Sequence, residues 1–381
     1  MTSPGPGRHA GVSICGMGLV LPGPTPGMLP SVPSPRLAAG PVYSCRELPA
    51  LPPRYARALR RLCRADHLAL AAAVQAVGDR GGQEGPDDET AVCVGTGMGV
   101  VGATAAFLES MVEENEGNPK PTAFTNSLHN VPAAQIAVYL GLRGPNNTFI
   151  HGSVSFELAL WRALRMMETG QARRAVVVGV DEASPYVVTA GQRRGWFRGD
   201  GASLDPMAGS AARVRGTVPG EGAGALLLCR ESDAPQGRRE ARLAGLRIEP
   251  PADPRIAVRD PDAEAEFVVD ALESAGVAME DVDLLLLGAN GDCRIDDAHR
   301  RVVGALARSG RVSCGVFKSS CGEFCAAAAV GVVLGAMAVR DGALAPAIRL
   351  LGRPVRARAV SCVACYNLYE TGYRSLCVVK A

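Results

Sequence analysis

Lysine is almost missing from this sequence: Lys120, Lys318 and Lys380 are the only three among 40 lysines and arginines. No basic tract and no stripe of aromatics interleaved with cations occurs, and the formal net charge is +2, so nucleic-acid binding is not expected. The arginine excess comes with abundant Ala and Gly, the skew that a GC-rich coding sequence produces, and it says little about anion binding. No apolar run reaches the roughly 20 residues that cross a bilayer. Residues 1–10 are polar and rich in Pro and Gly, unlike a secretory leader. No membrane association is expected, and the expected location is the cytoplasm. The twelve cysteines do not form a disulfide framework. They are scattered, and several (Cys15, Cys93, Cys229, Cys377) sit in apolar runs, where a free thiol acts as a small hydrophobe in a reducing compartment. Cys362 and Cys365 have zinc-ligand spacing, and Cys321 and Cys325 lie four apart. Neither pair has a second CxxC or HxxxH nearby, so no metal is expected.

The 381 residues, 47% of them hydrophobic, suffice for one large α/β unit or two domains. Apolar runs read as buried strands at 11–23, 89–102, 147–151, 173–184 and 220–232. Helical spacing marks 54–79, 105–114, 126–142 and 154–169. Residues 22–53 are Pro-rich and read as a long loop. A charged, Pro-containing stretch (231–262) follows, and then the pattern restarts. Helices are expected at 263–276, 297–308 and 322–341, and strands at 282–289, 312–317, 358–364 and 374–379. Continuous apolar strands separated by helices imply a sheet covered on both faces. The repeated order predicts a duplicated α/β domain, with halves 1–235 and 236–381.

One junction carries a chemical question. GPNNTFIHGSVSFELAL (144–160) turns from strand to helix at Ser153. A helix N-terminus stabilises negative charge by about 1–2 kcal/mol at most, too little to generate an alkoxide. Ser153 therefore needs an adjacent base to act as a nucleophile; otherwise it reads as a helix N-cap. His151, two residues earlier on the same strand face, reads as a hydrogen-bonded interface histidine rather than that base. His9, His67 and His299 lie in a tail and on helices and have no claim.

Six segments, in order, resemble the β-ketoacyl synthase branch of the thiolase-fold superfamily. VSICGMGLVLPG is similar to that family's opening strand, HLALAAAVQAV to its first helix and VGTGMG (94–99) to its glycine turn. GLRGPNNTFIHGS resembles the run into the nucleophile, GTVPGEGAGALLL (216–228) the GEGAG strand, and FKSSCGEFCAAAAVGVVLGAMAVRDG (317–342) the Lys-Ser-x-x-Gly-His segment with its Ala-rich helix. The resemblance implies a thiolase-like fold with duplicated βα-rich halves in five αβαβα layers. It implies a dimer across the strand before the nucleophile. It also implies substrates that are acyl thioesters on an acyl carrier protein, whose phosphopantetheine is the substrate arm; no bound cofactor is implied.

The family condenses acyl and malonyl thioesters with one Cys and two His. All three positions differ here. The cysteine position is Ser153. The first histidine, normally in Glu-Ala-His-Gly-Thr, is Asn290, which can donate a hydrogen bond but cannot carry a proton at neutral pH. Asp297 is expected to match the acidic residue that follows, and Arg300 stands where a glutamate is usual. The second histidine is Glu323, in Lys318–Ser319–Ser320–Cys321–Gly322–Glu323. Lys318 is kept, and a buried ion pair with Glu323 or Asp297 is expected. An ionised Glu323 would repel both the malonyl carboxylate and the enolate. The C-terminal Asn-x-Phe-Gly-Phe-Gly-Gly-Thr-Asn loop, source of the second oxyanion amide and a gating Phe, has lost its Gly-Gly pair. His129, in NSLHNVPA, matches the helix facing the family's active site and is the other candidate base.

Three readings follow. The first is a non-condensing, chain-length-factor-like subunit, paired with an active synthase or with itself, in polyketide, polyene or fatty-acid-type biosynthesis. Its helix around Phe107 and Met111 would shape the partner's acyl tunnel. The second is an acyltransferase or thioesterase-like enzyme with Ser153 as nucleophile and His129 or Glu323 as base. The third is a condensing enzyme that recruits another thiol, such as Cys321.

Overall fold

The computed structural model describes residues 7–8, 11–23, 27–28, 40–53, 62–78, 87–200, 204–207, 214–234, 240–251, 261–307, 312–352 and 359–381. Ten strands carry the frame. β1 (Val12–Val20), β2 (Thr90–Thr96), β3 (Asn146–Ile150), β4 (Arg174–Asp181) and β5 (Gly222–Arg230) make one half. β6 (Ala241–Glu249), β7 (Leu284–Leu287), β8 (Ser313–Val316), β9 (Cys362–Leu368) and β10 (Arg374–Lys380) make the other. Their spatial orders are β3-β2-β4-β5-β1 and β8-β7-β9-β10-β6. Counted within each half, both run third, second, fourth, fifth, first. In each half the second strand is parallel to the third and fourth, and the fifth is antiparallel to both neighbours. The repeat expected from element order is therefore present in the strand order. The halves join where β1 meets β6, at Ser13–Arg242 and Ile14–Ala241.

The helices are α1 (Arg64–Val77), α2 (Val101–Glu113), α3 (Pro121–Asn126), α4 (Val131–Leu140), α5 (Ser155–Glu168), α6 (Pro185–Arg193), α7 (Pro261–Ser274), α8 (Cys293–Ala307) and α9 (Ala328–Asp341). Successive strand residues point to opposite faces, and here both faces are covered. Val92, Val94, Val176 and Val178 pack with Leu68, Leu70 and Ile136 from α1 and α4. The alternate residues Ala91, Cys93 and Val177 join a central core with Phe156 and Leu160 of α5, Val330 and Val333 of α9, and Leu286 and Val363 from the second half. Leu285, Leu287 and Tyr366 pack outward against Phe267 and Leu272 of α7 and Val302 of α8. Three apolar cores between helix and sheet make the αβαβα stack.

Several boundaries differ from the sequence expectation. The charged stretch 231–262 contains β6. The helix expected at 126–142 is α4, which begins only at Val131 because the chain turns at 127–130 after α3 ends and restarts with Pro132 in the first turn. The Ala-rich helix begins at Ala328 rather than 322, because the buried carboxylate of Asp181 takes the Ala326 amide (2.8 Å) in the preceding turn. Residues 54–61 of the first expected helix lie outside the described residues.

β3 is an edge strand, half-exposed along its length. α2 buries no residue. Leu108, Val112, Phe124, Val138 and Ile150 are exposed apolar side chains. Phe107 of α2 is half-buried and stacks edge-to-face on the exposed Phe124 at 5.6 Å. Among the described residues, no helix is long and apolar enough to cross a membrane.

Candidate functional site

Parallel strands in a covered sheet leave a crevice at their carboxyl ends, and the loops that follow β3, β7 and β8 meet there with the β9–β10 turn. After β3 the chain reverses through Gly152, whose φ of +79° suits glycine. The Ser155 hydroxyl then accepts the His151 amide (2.9 Å), and α5 starts.

Ser153 is buried and is not the helix cap. Its Oγ lies 2.6 Å from Thr371 Oγ1, across the boundary between the halves. A neighbouring hydroxyl is no stronger a base than Ser153 itself, so this contact supplies no activation. His129, one candidate base, is exposed between α3 and α4. Its ring fills the space beside Gly99, where a Cβ would fall 2.3 Å from Nδ1. His151 is exposed and meets Tyr373 edge-to-face at 4.7 Å. Neither histidine is hydrogen-bonded to Ser153.

Asn290, Lys318 and Glu323 do come together. Lys318 Nζ donates to both carboxylate oxygens of Glu323, at 2.8 and 2.7 Å, and Asn290 Nδ2 donates to Oε2 at 2.6 Å. Lys318 is 2% exposed and the Glu323 side chain 17%. The other end of the Asn290 amide is also committed: its Oδ1 accepts the Asp292 amide at 3.1 Å. The expected ion pair of Lys318 is thus with Glu323. Asp297 instead pairs with Arg300 along α8. Asp296 holds the Asn290 loop, accepting the amides of Asn290 and Gly291 at 3.1 Å and of Met207 at 2.7 Å.

Three further carboxyls were not singled out by motif. Asp292 is bidentate with Arg294 and also accepts the Gly216 amide. Glu157, four residues after Ser153, is fully enclosed. Its Oε1 accepts Tyr369 and Ser375, its Oε2 has no partner, and burial pushes its carboxyl up. Glu370 lies 3.4 Å from Arg294, and burial pushes its carboxyl up to about 7. The β9–β10 hairpin brings Glu370, and the Tyr369 and Ser375 partners of Glu157, to the site from more than 200 residues beyond Glu157, which is why spacing did not reveal them.

A cavity of about 40 Å³ opens beside Glu323, walled by Met98, Val101, Val188, Phe197, Phe324 and Cys325. Holding even a benzene ring takes a cavity nearer 150 Å³. Burial raises the Cys321 and Cys325 thiols well above the ordinary range, so neither is a ready thiolate. Cys362 and Cys365 are buried and are not in a disulfide. Among the described residues, no three His, Cys, Asp or Glu side chains are grouped to hold a metal.

Residues 46–234 match the description "Beta-ketoacyl synthase, N-terminal domain" and residues 241–350 "Beta-ketoacyl synthase, C-terminal domain". The chain is 28% identical over 287 residues to the tetracenomycin polyketide synthase ketoacyl synthase beta subunit of Streptomyces glaucescens, spanning 74% of this chain and 70% of that protein. It is 27% identical over 298 residues to a 3-oxoacyl-(acyl-carrier-protein) synthase 2 of Rhizobium meliloti, with the same two coverages, 74% and 70%. The solved ishigamide ketosynthase/chain length factor has the same fold, with a TM-score of 0.75 at 20% identity over 97% of this chain and 98% of that one.

Proposed function

This chain belongs to the β-ketoacyl synthase family, and from that premise we propose that it is a non-condensing, chain-length-factor-like subunit. It pairs with an active synthase that elongates carrier-protein thioesters in polyketide, polyene or fatty-acid-type biosynthesis. The observation that carries this reading is the Lys318–Glu323–Asn290 cluster. Decarboxylative condensation needs hydrogen-bond donors aimed at a developing enolate. Here the two available side-chain donors, the Lys318 ammonium and the Asn290 amide, are both spent on a carboxylate inside the protein. The cavity beside Glu323 is also too small for an acyl chain of its own. The open edge of β3, ending at the exposed Ile150, with the exposed Val138 of the neighbouring α4, supports a protein partner, because an edge strand flanked by exposed apolar side chains is a pairing surface.

The test is intact-mass spectrometry after incubation with acyl-carrier-protein thioesters, run on the wild type and on Ser153→Ala, together with co-purification with a Cys-containing β-ketoacyl synthase from the same organism. The expected outcome is no adduct on either protein and a stable complex with the synthase. An acyl adduct on the wild type that disappears in Ser153→Ala would replace this proposal with an acyltransferase using Ser153.

A further inference from the structure

The fold leaves α2 uncovered although its sequence is mostly apolar. Eight of its 13 residues are apolar, yet none is buried. A helix of that composition is ordinarily a buried one. Side chains four apart form rows along a helix. Phe107 and Met111 make a half-buried row, with Phe124 of α3 stacked on Phe107. About 100° further round the helix come Leu108 and Val112, exposed at 56% and 77%. The next row is Glu109 and Glu113, both exposed. The face is thus an apolar centre, continued onto α3 by the exposed Phe124, and edged by carboxylates.

Those carboxylates oppose the helix that carries them. Glu109 and Glu113 are like charges four residues apart, a destabilising spacing. Glu113, Glu114 and Glu116 crowd the carboxyl end of α2, where the helix dipole favours cations, and the last turn holds no basic residue. Asn115 and Glu116 are left-handed, with φ of 49° and 60°, at positions without glycine's freedom. Lys120 pairs with Glu114 at 3.4 Å. Four glutamates and this one lysine give residues 101–130 a net charge of −3, in a chain whose total is +2. The stability of the fold asks for none of these choices, so they answer another demand.

We propose that the exposed face of α2 and α3 docks the synthase on a surface with an apolar centre and a rim of Arg and Lys, and that its carboxylates reject a second copy of this chain. The inference rests on the reading that this chain pairs with a synthase, and it adds the charge of the surface that the partner must present.

Symmetry supplies the discrimination. In a two-fold pair of identical chains one patch meets itself. Here that would bring the glutamates of one α2 to those of the other, with a single lysine on each side already engaged by Glu114. Like charges across an interface exclude the wrong partner, and opposite charges speed the encounter with the right one. Leu108, Val112 and Phe124 then supply the apolar area that holds the complex together.

Surface plasmon resonance of the full chain with a Cys-containing β-ketoacyl synthase from the same organism tests this. Wild-type association is expected to slow about tenfold between about 20 and about 300 mM NaCl. Glu109→Gln/Glu113→Gln/Glu116→Gln is expected to slow it about tenfold at the lower salt and to flatten the salt dependence. Glutamine at 109 still accepts the Tyr186 hydroxyl, and the variant's Tm is expected to be unchanged or higher. Val112→Arg is expected to speed dissociation about tenfold. A complex whose rate ignores both salt and the three glutamines would overturn the charge selection while leaving the synthase pairing intact. No complex at all would overturn the pairing and the docking face together. A wild-type chain that sediments alone as a dimer at the lower salt, and as a monomer with Val112→Arg, would give the face to a second copy and overturn the proposal.

Discussion

Replacing Glu323 by Gln isolates the electrostatics of the site with a change of one atom. The amide keeps an acceptor for one donor, but the Lys318 ammonium, 2% exposed, loses its counter-charge. Breaking a buried ion pair by removing one partner costs about 3–5 kcal/mol. Glu323 is 17% exposed, so water reaches the cluster and the lower end, about 3 kcal/mol, is expected. Unfolding entropy of about 2.1 cal/mol/K per residue converts that to a fall in Tm of about 4 °C for a chain of 381 residues. Lys318→Met should cost less, about 1–2 kcal/mol, because Glu323 keeps Asn290 and partial solvent. Lys318→Met/Glu323→Gln should recover most of the loss, since neither charge is then stranded. Scanning calorimetry of the four proteins at one concentration measures all three terms. A Tm for Glu323→Gln within 1 °C of wild type, or single effects that simply add in the double variant, would refute the claim that these side chains neutralise one another.

Other outcomes are equally direct. Ser153→Cys alone should show no condensation in a malonyl and acyl carrier-protein assay, because the donors at Glu323 stay committed; robust product would show that the carboxylate does not block decarboxylation. Ile150→Arg should abolish co-purification with the synthase while leaving the circular dichroism spectrum and Tm unchanged; undiminished complex would remove the β3 edge from the interface. Burial lowers His299 to about 4, so this ring folds neutral. Its contribution is present above pH 6.5 and falls as pH drops toward 4. His299→Phe should shift the midpoint of acid unfolding to lower pH, and an unchanged midpoint would mean that another group controls it.

The frame was legible where burial writes itself as an unbroken apolar run. LLLL at 284–287 and AVVVGV at 175–180 are strands because both faces are covered. β6 was not legible. Its sequence, ARLAGLRIE, alternates buried and half-buried positions, and Arg242 and Arg247 at half-buried places made it read as a charged linker. Yet this strand joins the halves, pairing with both β1 and β10. At the site, the Lys318–Glu323 pair could be anticipated because both residues lie in one short motif. Thr371, 218 residues from Ser153, could not. Nothing local in the sequence signals a hydroxyl that meets another only after two half-domains have closed. Asp297 was named for the acidic role near Asn290, but the helix register turns Asp296 inward instead.

The three apolar cores lie between helix and sheet, while Ser153, Asn290 and Glu323 sit in the turns that follow strands. The scaffold's free energy and the family's chemistry therefore occupy different parts of the molecule. A lineage can change side chains such as Ser153, Asn290 and Glu323 without disturbing the packing that makes the chain fold. Selection for catalysis can lapse while selection for shape continues. A duplicated gene on such a scaffold is free to become a companion to its own ancestor.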